Sequence, residues 1–229
     1  MADIALITID LDETVWPCAP VIEQAEHELL VWLQQQAARL VRSHDLDSLR
    51  DHRRLVMQNR PEIAHDITAV RMTSLRLLLK EFDYAPELAG EAMDVFLAAR
   101  NRVSPFPDVY PVLQSLAQLY CIASITNGNA DVKRTSLGSC FDFSLSAAQV
   151  GAPKPAPDLF QHAIQQAGVE PVQALHIGDD PLLDVEAARR VGMCTVWVNR
   201  KGAIWPEELP PPNVSVRDFY ELASWLTQL

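Results

Sequence analysis

The apolar positions of this chain follow two different spacings. Residues 4–9 (IALITI) form a short, nearly unbroken apolar run. It is too short for a core helix and carries three isoleucines, so it predicts a buried strand. Over residues 20–100 the spacing becomes helical. In VIEQAEHELLVWLQQQA, Ile22, Ala25, Leu29, Leu30 and Leu33 line one stripe. SLRDHRRLVMQ is a second helical stretch, ending at Pro61, and DITAVRMTSLRLLLKEF sets Val70, Leu75, Leu78 and Leu79 along one face. A fourth covers residues 86–100, with Pro86 suited to a first helical turn. The block predicts about four helices and no strand.

From Pro105 the texture alternates. FPDVYPVLQSLAQLY reads as a helix and CIASIT as a strand; DVKRTSLGSC reads as a short helix or turn and FDFSLS as a strand. APDLFQHAIQQAG is a helix closed by Gly168, ALHIGD a strand, PLLDVEAARRVG a helix stopped by Gly192, and CTVWVN a strand. NVSV and RDFYELASWLTQL supply a last strand and helix. Strands and helices alternating at this spacing imply an α/β fold built on a parallel sheet covered on both faces. The first strand belongs to that sheet but is cut off from it by the helical block. The expected organisation is therefore a core of residues 1–14 and 103–229, with residues 15–102 inserted as a helical cap. Open α/β sheets bind ligands at the carboxyl ends of their strands, which is where the carboxylates of DLDET fall.

Composition narrows the chemistry. The 229 residues suffice for a full core, and a net charge of −11 offers no basic footprint for a nucleic-acid backbone. It leaves room for a small anionic substrate, because a bound cation reverses the local field. Cys18, Cys121, Cys140 and Cys194 form no CxxC pair. No basic leader precedes the first strand, and no apolar run approaches the ~18 residues of a membrane span. A reducing, cytoplasmic setting without membrane attachment is expected.

Four short segments carry the candidate chemistry. Asp10 and Asp12 follow the first strand two residues apart, a spacing that can aim both carboxylates to one side about 6.6 Å apart. By themselves they also suit a turn. Thr126 and Asn127 follow the CIASIT strand, either as a plain turn or as a hydroxyl and backbone N–H groups offered to an oxyanion. Lys154 stands between prolines in PKP, as a stiffened cation or a solvent-facing one. Asp179, Asp180 and Asp184 follow the ALHIG strand, where acids also favour a helix N-terminus. Carboxylates from two strand ends repel one another unless a cation joins them, and Mg2+ takes hard oxygen ligands. Thr126 and Lys154 then complete a phosphoryl-transfer site.

These segments resemble the motifs of the haloacid-dehalogenase-like hydrolases. The family's DxDx[TV] is matched by Asp10, Asp12 and Thr14, and its Thr or Ser after the next strand by Thr126, with Asn127 and Gly128 behind it. Its lysine is matched by Lys154, and its GDxxxxD by Gly178, Asp179 and Asp184, with Asp180 as an extra acid. The matches run along the whole chain in family order, and a helical insertion after the first motif is the family's C1 cap. The resemblance implies a Rossmann-like parallel sheet with the first strand central. It implies Asp10 as nucleophile, Asp12 as general acid and base, Thr126, Asn127 and Lys154 on the phosphate, and Thr14 orienting the loop. Mg2+ would be held by Asp10, the Asp12 backbone carbonyl and Asp179, with Asp184 or Asp180 completing the shell.

Within that family, halide leaves without a proton, so an acid at Asp12 favours phosphate esters over dehalogenation. The expected activity is Mg2+-dependent hydrolysis of a small phosphorylated metabolite through an aspartyl-phosphate. A phosphosugar mutase and a non-catalytic binding protein of the same fold are the other readings. EIAHDIT, TNGN and GDD resemble the bacterial subgroup acting on flavin mononucleotide and the phosphorylated ribitylaminouracil precursor of riboflavin. Cap candidates for substrate contact are Trp16, which could equally be buried, His65 beside Asp66, which could be a surface pair, and Arg71, which could serve salt bridges.

Overall fold

The computed structural model describes residues 3–228. The chain divides into two compact units, Met1–Pro17 with Ser104–Leu229, and Cys18–Val103. The first division falls three residues beyond the expected 14/15 boundary because the chain stays tied to its first loop. Val15 and Trp16 are fully buried, Val15 N donates to Leu11 O, and Glu13 N donates to Trp16 O at 2.8 Å.

The first unit is built on six parallel strands: β1 (Leu6–Ile9), β2 (Cys121–Thr126), β3 (Phe143–Ser146), β4 (Ala174–Gly178), β5 (Cys194–Val198) and β6 (Val214–Val216). Their order is β3-β2-β1-β4-β5-β6, so the expected parallel sheet with a central first strand is what the chain forms. Strands follow one another outward from β1 to β3, then restart at β4 on the other side. The order therefore reverses beside β1, and such a switch point opens a crevice at the strand ends. Register fixes what lines it: Ile9 pairs with Ser124 on one side and with Ile177 on the other. The next residue, Asp10, donates its N–H to Ile177 O at 2.9 Å.

One sheet face is covered by α8 (Asp158–Ala167) and α9 (Ala187–Val191), whose Leu159, Phe160, Ala163, Ala187 and Ala188 pack with Leu6, Ala123 and Ile125. Side chains alternate along a strand, so Ile7 and Ile9 turn to the opposite face. The remaining helices of this unit are α6 (Val109–Leu116), α7 (Ala147–Val150) and α10 (Phe219–Leu226). The segment 131–140 forms two short 3-10 turns. The helix expected over 181–192 begins as a π-helical turn at Pro181–Glu186 and becomes α-helical only at Ala187. The last residue of the predicted C-terminal helix lies outside the described residues.

The second unit holds α1 (Cys18–Gln36), α2 (Ala38–Ser43), α3 (Leu46–Asn59), α4 (Ile67–Glu81) and α5 (Leu88–Arg100). The extra short helix arises where the first stripe breaks at Ala37, and Leu40 re-enters the core. Leu29, Leu33, Leu75, Leu78, Met93 and Phe96 fill that core. The buried face of α1 also contains Glu26, which the hydrophobic pattern does not reveal. Its carboxylate accepts from Arg50 Nε at 2.7 Å, Arg53 at 2.9 Å and Arg71 at 3.3 Å. Among the described residues, no helix is long and apolar enough to cross a membrane.

Candidate active site

At the carboxyl ends of β1, β2 and β4 lies a cleft of about 200 Å3, lined by Asp10, Asp12, Thr126, Asn127, Gly128, Lys154, Asp179, Asp180, Leu183 and Asp184. All four sequence motifs thus meet in one place. Lys154 is its electrostatic centre. Lys154 is 4% exposed, and its ammonium donates to Asp10 Oδ1 at 2.6 Å, Asp184 Oδ1 at 2.6 Å and Ile125 O at 3.2 Å. Three acceptors use its three protons, so its direction is fixed. Asn127 fixes the backbone beneath it: Nδ2 donates to Lys154 O at 2.9 Å, and Lys154 N donates to Asn127 Oδ1 at 2.7 Å. The Asn127 side chain therefore clamps the lysine loop and keeps its second amide proton. Thr126 Oγ accepts from Gly128 N at 2.9 Å, a bond that leaves the hydroxyl proton unused.

The first loop is held from several sides. Thr14 Oγ lies 3.3 Å from Asp10 Oδ2 and 3.1 Å from Asp179 Oδ1, and its one proton serves one carboxylate at a time. Arg200 donates to Thr14 O at 3.2 Å and grips Asp108 through two bonds, while its guanidinium stacks 4.0 Å over Phe106. Lys201 pairs with Glu13, which sits at φ 63°. Trp16 is fully buried, and its indole N–H donates to Asp12 Oδ1 at 2.8 Å.

The acidic motif separates into distinct tasks. Asp180 is spent on the helix start, its Oδ1 accepting from Leu182 N and Leu183 N at 2.8 Å each. Asp184 is 1% exposed; Oδ1 serves Lys154, and Oδ2 accepts from Asp180 N at 3.0 Å. Gly178 makes room for it: a Cβ there would lie 2.3 Å from Asp184 Cγ. Beneath Asp184, His176 Nε2 approaches Oδ1 at 3.3 Å, and Nδ1 lies 2.9 Å from Thr8 Oγ. Burial holds the imidazole below its ordinary pKa, so it is neutral, with Nε2–H donating to Asp184 and Nδ1 accepting from Thr8. Trp197 Nε1 anchors Asp179 through its carbonyl at 2.8 Å.

Thr8, His176, Trp197, Arg200 and Asp108 were not anticipated from the sequence. Thr8 and His176 had a signal there: each is a polar residue inside an otherwise apolar central strand, and the two are register partners. Of the cap candidates, Trp16 turns to Asp12. Arg71 pairs with Glu26 and lies 3.7 Å over the Phe96 ring. His65 is half-buried in a turn before α4, where Asp66 caps the helix by accepting from Thr68 N and Ala69 N.

Charge is short by one cation. Burial pushes Asp10 up to about 8; Lys154 draws it down, and Asp184 and Asp179 add to the rise. Burial and Asp184 raise Asp179 to about 6. Lys154 stays protonated: burial opposes its charge, and Asp10 and Asp184 outweigh it. Carboxylate oxygens of Asp10, Asp179 and Asp184 all lie within 4.8 Å of one another. Hard oxygens at this spacing, two of them on carboxyls that burial and then neighbouring acids keep from ionising freely, suit a divalent cation of the Mg2+ type.

The comparisons with known proteins agree with this geometry. The profile of the haloacid dehalogenase-like hydrolases matches residues 4–192. The 5-amino-6-(5-phospho-D-ribitylamino)uracil phosphatase YigB of Escherichia coli K12 is 32% identical, covering 91% of this chain and 90% of its own. A phosphoserine phosphatase of Thermus thermophilus is 35% identical over 64% of this chain and 61% of its own. Among solved structures, a 2-haloacid dehalogenase from Pseudomonas syringae pv. Tomato DC3000 superposes with a TM-score of 0.92 at 36% identity, covering 98% of this chain and 99% of its own. A HAD phosphatase from Thermococcus onnurineus does so at 0.69 and 25% identity, covering 97% and 98%. A family profile spanning most of the chain and full-length phosphatase kinship leave one assignment: the chain belongs to the haloacid dehalogenase-like hydrolases, as a phosphatase.

Proposed function

We propose that this phosphatase is a Mg2+-dependent phosphomonoesterase that works through a phosphorylated Asp10. The observation that carries the reading is the position of Asp10. Its Oδ1 is oriented by Lys154 at 2.6 Å, and it stands among carboxylates that call for a cation. Asp10, Asp179 and Asp184 would hold the metal, with the Asp12 carbonyl. When bound, Mg2+ neutralises the phosphoryl oxygens and keeps Asp10 ionised. Asp10 then attacks phosphorus, and the ester P–O bond breaks with its electron pair leaving on the alcohol oxygen. Asp12 gives that oxygen a proton. In the second step Asp12 takes a proton from water as the water oxygen attacks the same phosphorus, which releases inorganic phosphate and restores both aspartates. Thr126 and Lys154 stabilise the phosphoryl charge throughout.

The substrate class rests on kinship: the Escherichia coli relative is named for a ribitylaminouracil phosphate. That compound and flavin mononucleotide head the list of candidates. A helical unit inserted after the first motif suits a substrate-selecting cap, and His65 is our candidate contact within it. One structural relative is named a 2-haloacid dehalogenase, so dehalogenation is the second reading; the acid Asp12, held by a buried donor, has no task in it.

Phosphate release should be measured across a panel with both candidates, phosphoserine and phosphosugars, with Mg2+ and with EDTA, beside halide release from 2-haloacids. Metal-dependent phosphate release is expected. Full activity in EDTA sinks the metal reading, and halide release without phosphate release favours the second.

A further inference from the structure

We infer that Trp16 is a positioning residue for Asp12: its indole N–H holds the acid in one orientation and directs its transferable proton to Oδ2. The inference rests on the reading of Asp12 as general acid and base. The 2.8 Å bond from Trp16 Nε1 to Asp12 Oδ1 spans four residues of one folded loop. That loop is pinned along its length. Asp10 N bonds Ile177 O, Glu13 N bonds Trp16 O, Val15 N bonds Leu11 O, and Phe106 N bonds Val15 O. Arg200 holds Thr14 O. A bridge pairs the backbones of Asp12 and Trp16, and the indole is fully enclosed. Donor and acceptor thus ride on one rigid piece of backbone.

An indole N–H is a donor only. It keeps the same role whether Asp12 is charged or neutral, and it cannot act as the acid itself. A carboxyl oxygen that carries the proton is a poorer acceptor than its carbonyl partner, so the bond to Oδ1 favours protonation at Oδ2. In the first step the Oδ2–H proton passes to the leaving alcohol oxygen as the P–O bond breaks. In the second, a water proton passes to Oδ2. The indole keeps its own proton in both. A phenyl ring would also fill an apolar space; a buried indole N–H requires an acceptor, and here that acceptor is Asp12.

The test uses the full-length enzyme with Mg2+ and compares KM and, by rapid quench, the rates of phosphoenzyme formation and hydrolysis for an alkyl phosphate and for p-nitrophenyl phosphate. The variants are Trp16→Phe, Trp16→3-benzothienylalanine (same shape, no N–H), Asp12→Asn, and Asp12→Asn combined with Trp16→Phe. For the Trp16 variants, phosphoenzyme formation from the alkyl ester should fall about 10-fold, the scale of one lost hydrogen bond to a charged group, and phosphoenzyme hydrolysis should slow by one common factor for both esters. KM and phosphoenzyme formation from the aryl ester should change by less than about 2-fold. In the Asp12→Asn background, Trp16→Phe should cost nothing more. Equal losses in phosphoenzyme formation from both esters, or full additivity with Asp12→Asn, would overturn the positioning role. If Trp16→Phe does not fold, the isostere decides, and wild-type rates in it also overturn the role. Asp12→Asn slowing phosphoenzyme formation equally from both esters overturns the acid assignment itself, a result distinct from the Trp16 outcomes.

Discussion

Asn127 holds Lys154 by both backbone groups: its amide nitrogen donates to the lysine carbonyl at 2.9 Å, and its amide oxygen accepts the lysine N–H at 2.7 Å. The clamp joins the end of β2 to a loop that carries the only cation shared by Asp10 and Asp184 among the bonds of the cleft. Asn127→Ala removes both bonds and leaves two partly buried backbone groups unpaired. A destabilisation of about 2 kcal/mol is expected, with kcat falling more than KM rises as Lys154 loses its aim. Urea unfolding and steady-state kinetics on one preparation check it; Asn127→Asp, which keeps the acceptor and loses the donor, should fall between.

Metal dependence has a readout that needs no turnover. An ion held by this cleft would bind the folded protein only, so Mg2+ should raise Tm with concentration. Lys154→Met leaves Asp10 and Asp184 buried without their shared cation, an expected loss of about 3 kcal/mol in metal-free protein. The same variant should gain more Tm from Mg2+ than the wild type, because the ion then meets two uncompensated carboxylates. A smaller gain would place the ion away from this pair.

Two glycines should respond in opposite directions. Gly178→Ala brings a Cβ to 2.3 Å from Asp184 Cγ; the carboxylate must move, at a cost of about 2 kcal/mol and with weaker Mg2+ binding. Gly90 lies within α5, and a Cβ there would meet nothing within 4 Å. Gly90→Ala should stabilise by up to about 1 kcal/mol. Thermal melts with a Mg2+ titration distinguish these outcomes.

Glu26 predicts an acid-sensitive step in the helical unit. Burial pushes its carboxyl up, but Arg50, Arg71 and Arg53 outweigh burial and hold it below the ordinary 4.5. A depressed carboxyl contributes stability that is present above the unfolded value and is lost as pH falls through the folded one. The loss therefore falls below pH 4.5. Glu26→Gln should cost about 3 kcal/mol at pH 7, and its stability should decline less steeply than the wild type below pH 4.5. Equal slopes from pH 5 to 3 would show that another group governs the acid limb.

The fold class and the parallel sheet are legible in the sequence alone, which also nominates the helical insertion and the carboxylates and lysine that line the cleft. It could do so because each of those signals is local. Apolar spacing reports the face an element buries, and Asp10, Thr126 and Asp179 each stand directly after a strand whose end the topology places at the sheet edge. Which of these side chains bond to which others emerges only from the folded chain. Asp180 and Asp184 look alike in GDDPLLD. The π-helical turn separates them, turning Asp184 inward to Lys154 and leaving Asp180 as a helix cap. Trp16 and Arg71, both read as substrate candidates, point instead to Asp12 and to Glu26. His176 meets Thr8 across 168 positions and Arg200 meets Asp108 across 92. A buried polar group must find a partner, but chemistry alone does not say which one. Register and packing choose it, and they arise only once distant segments of the chain are brought together.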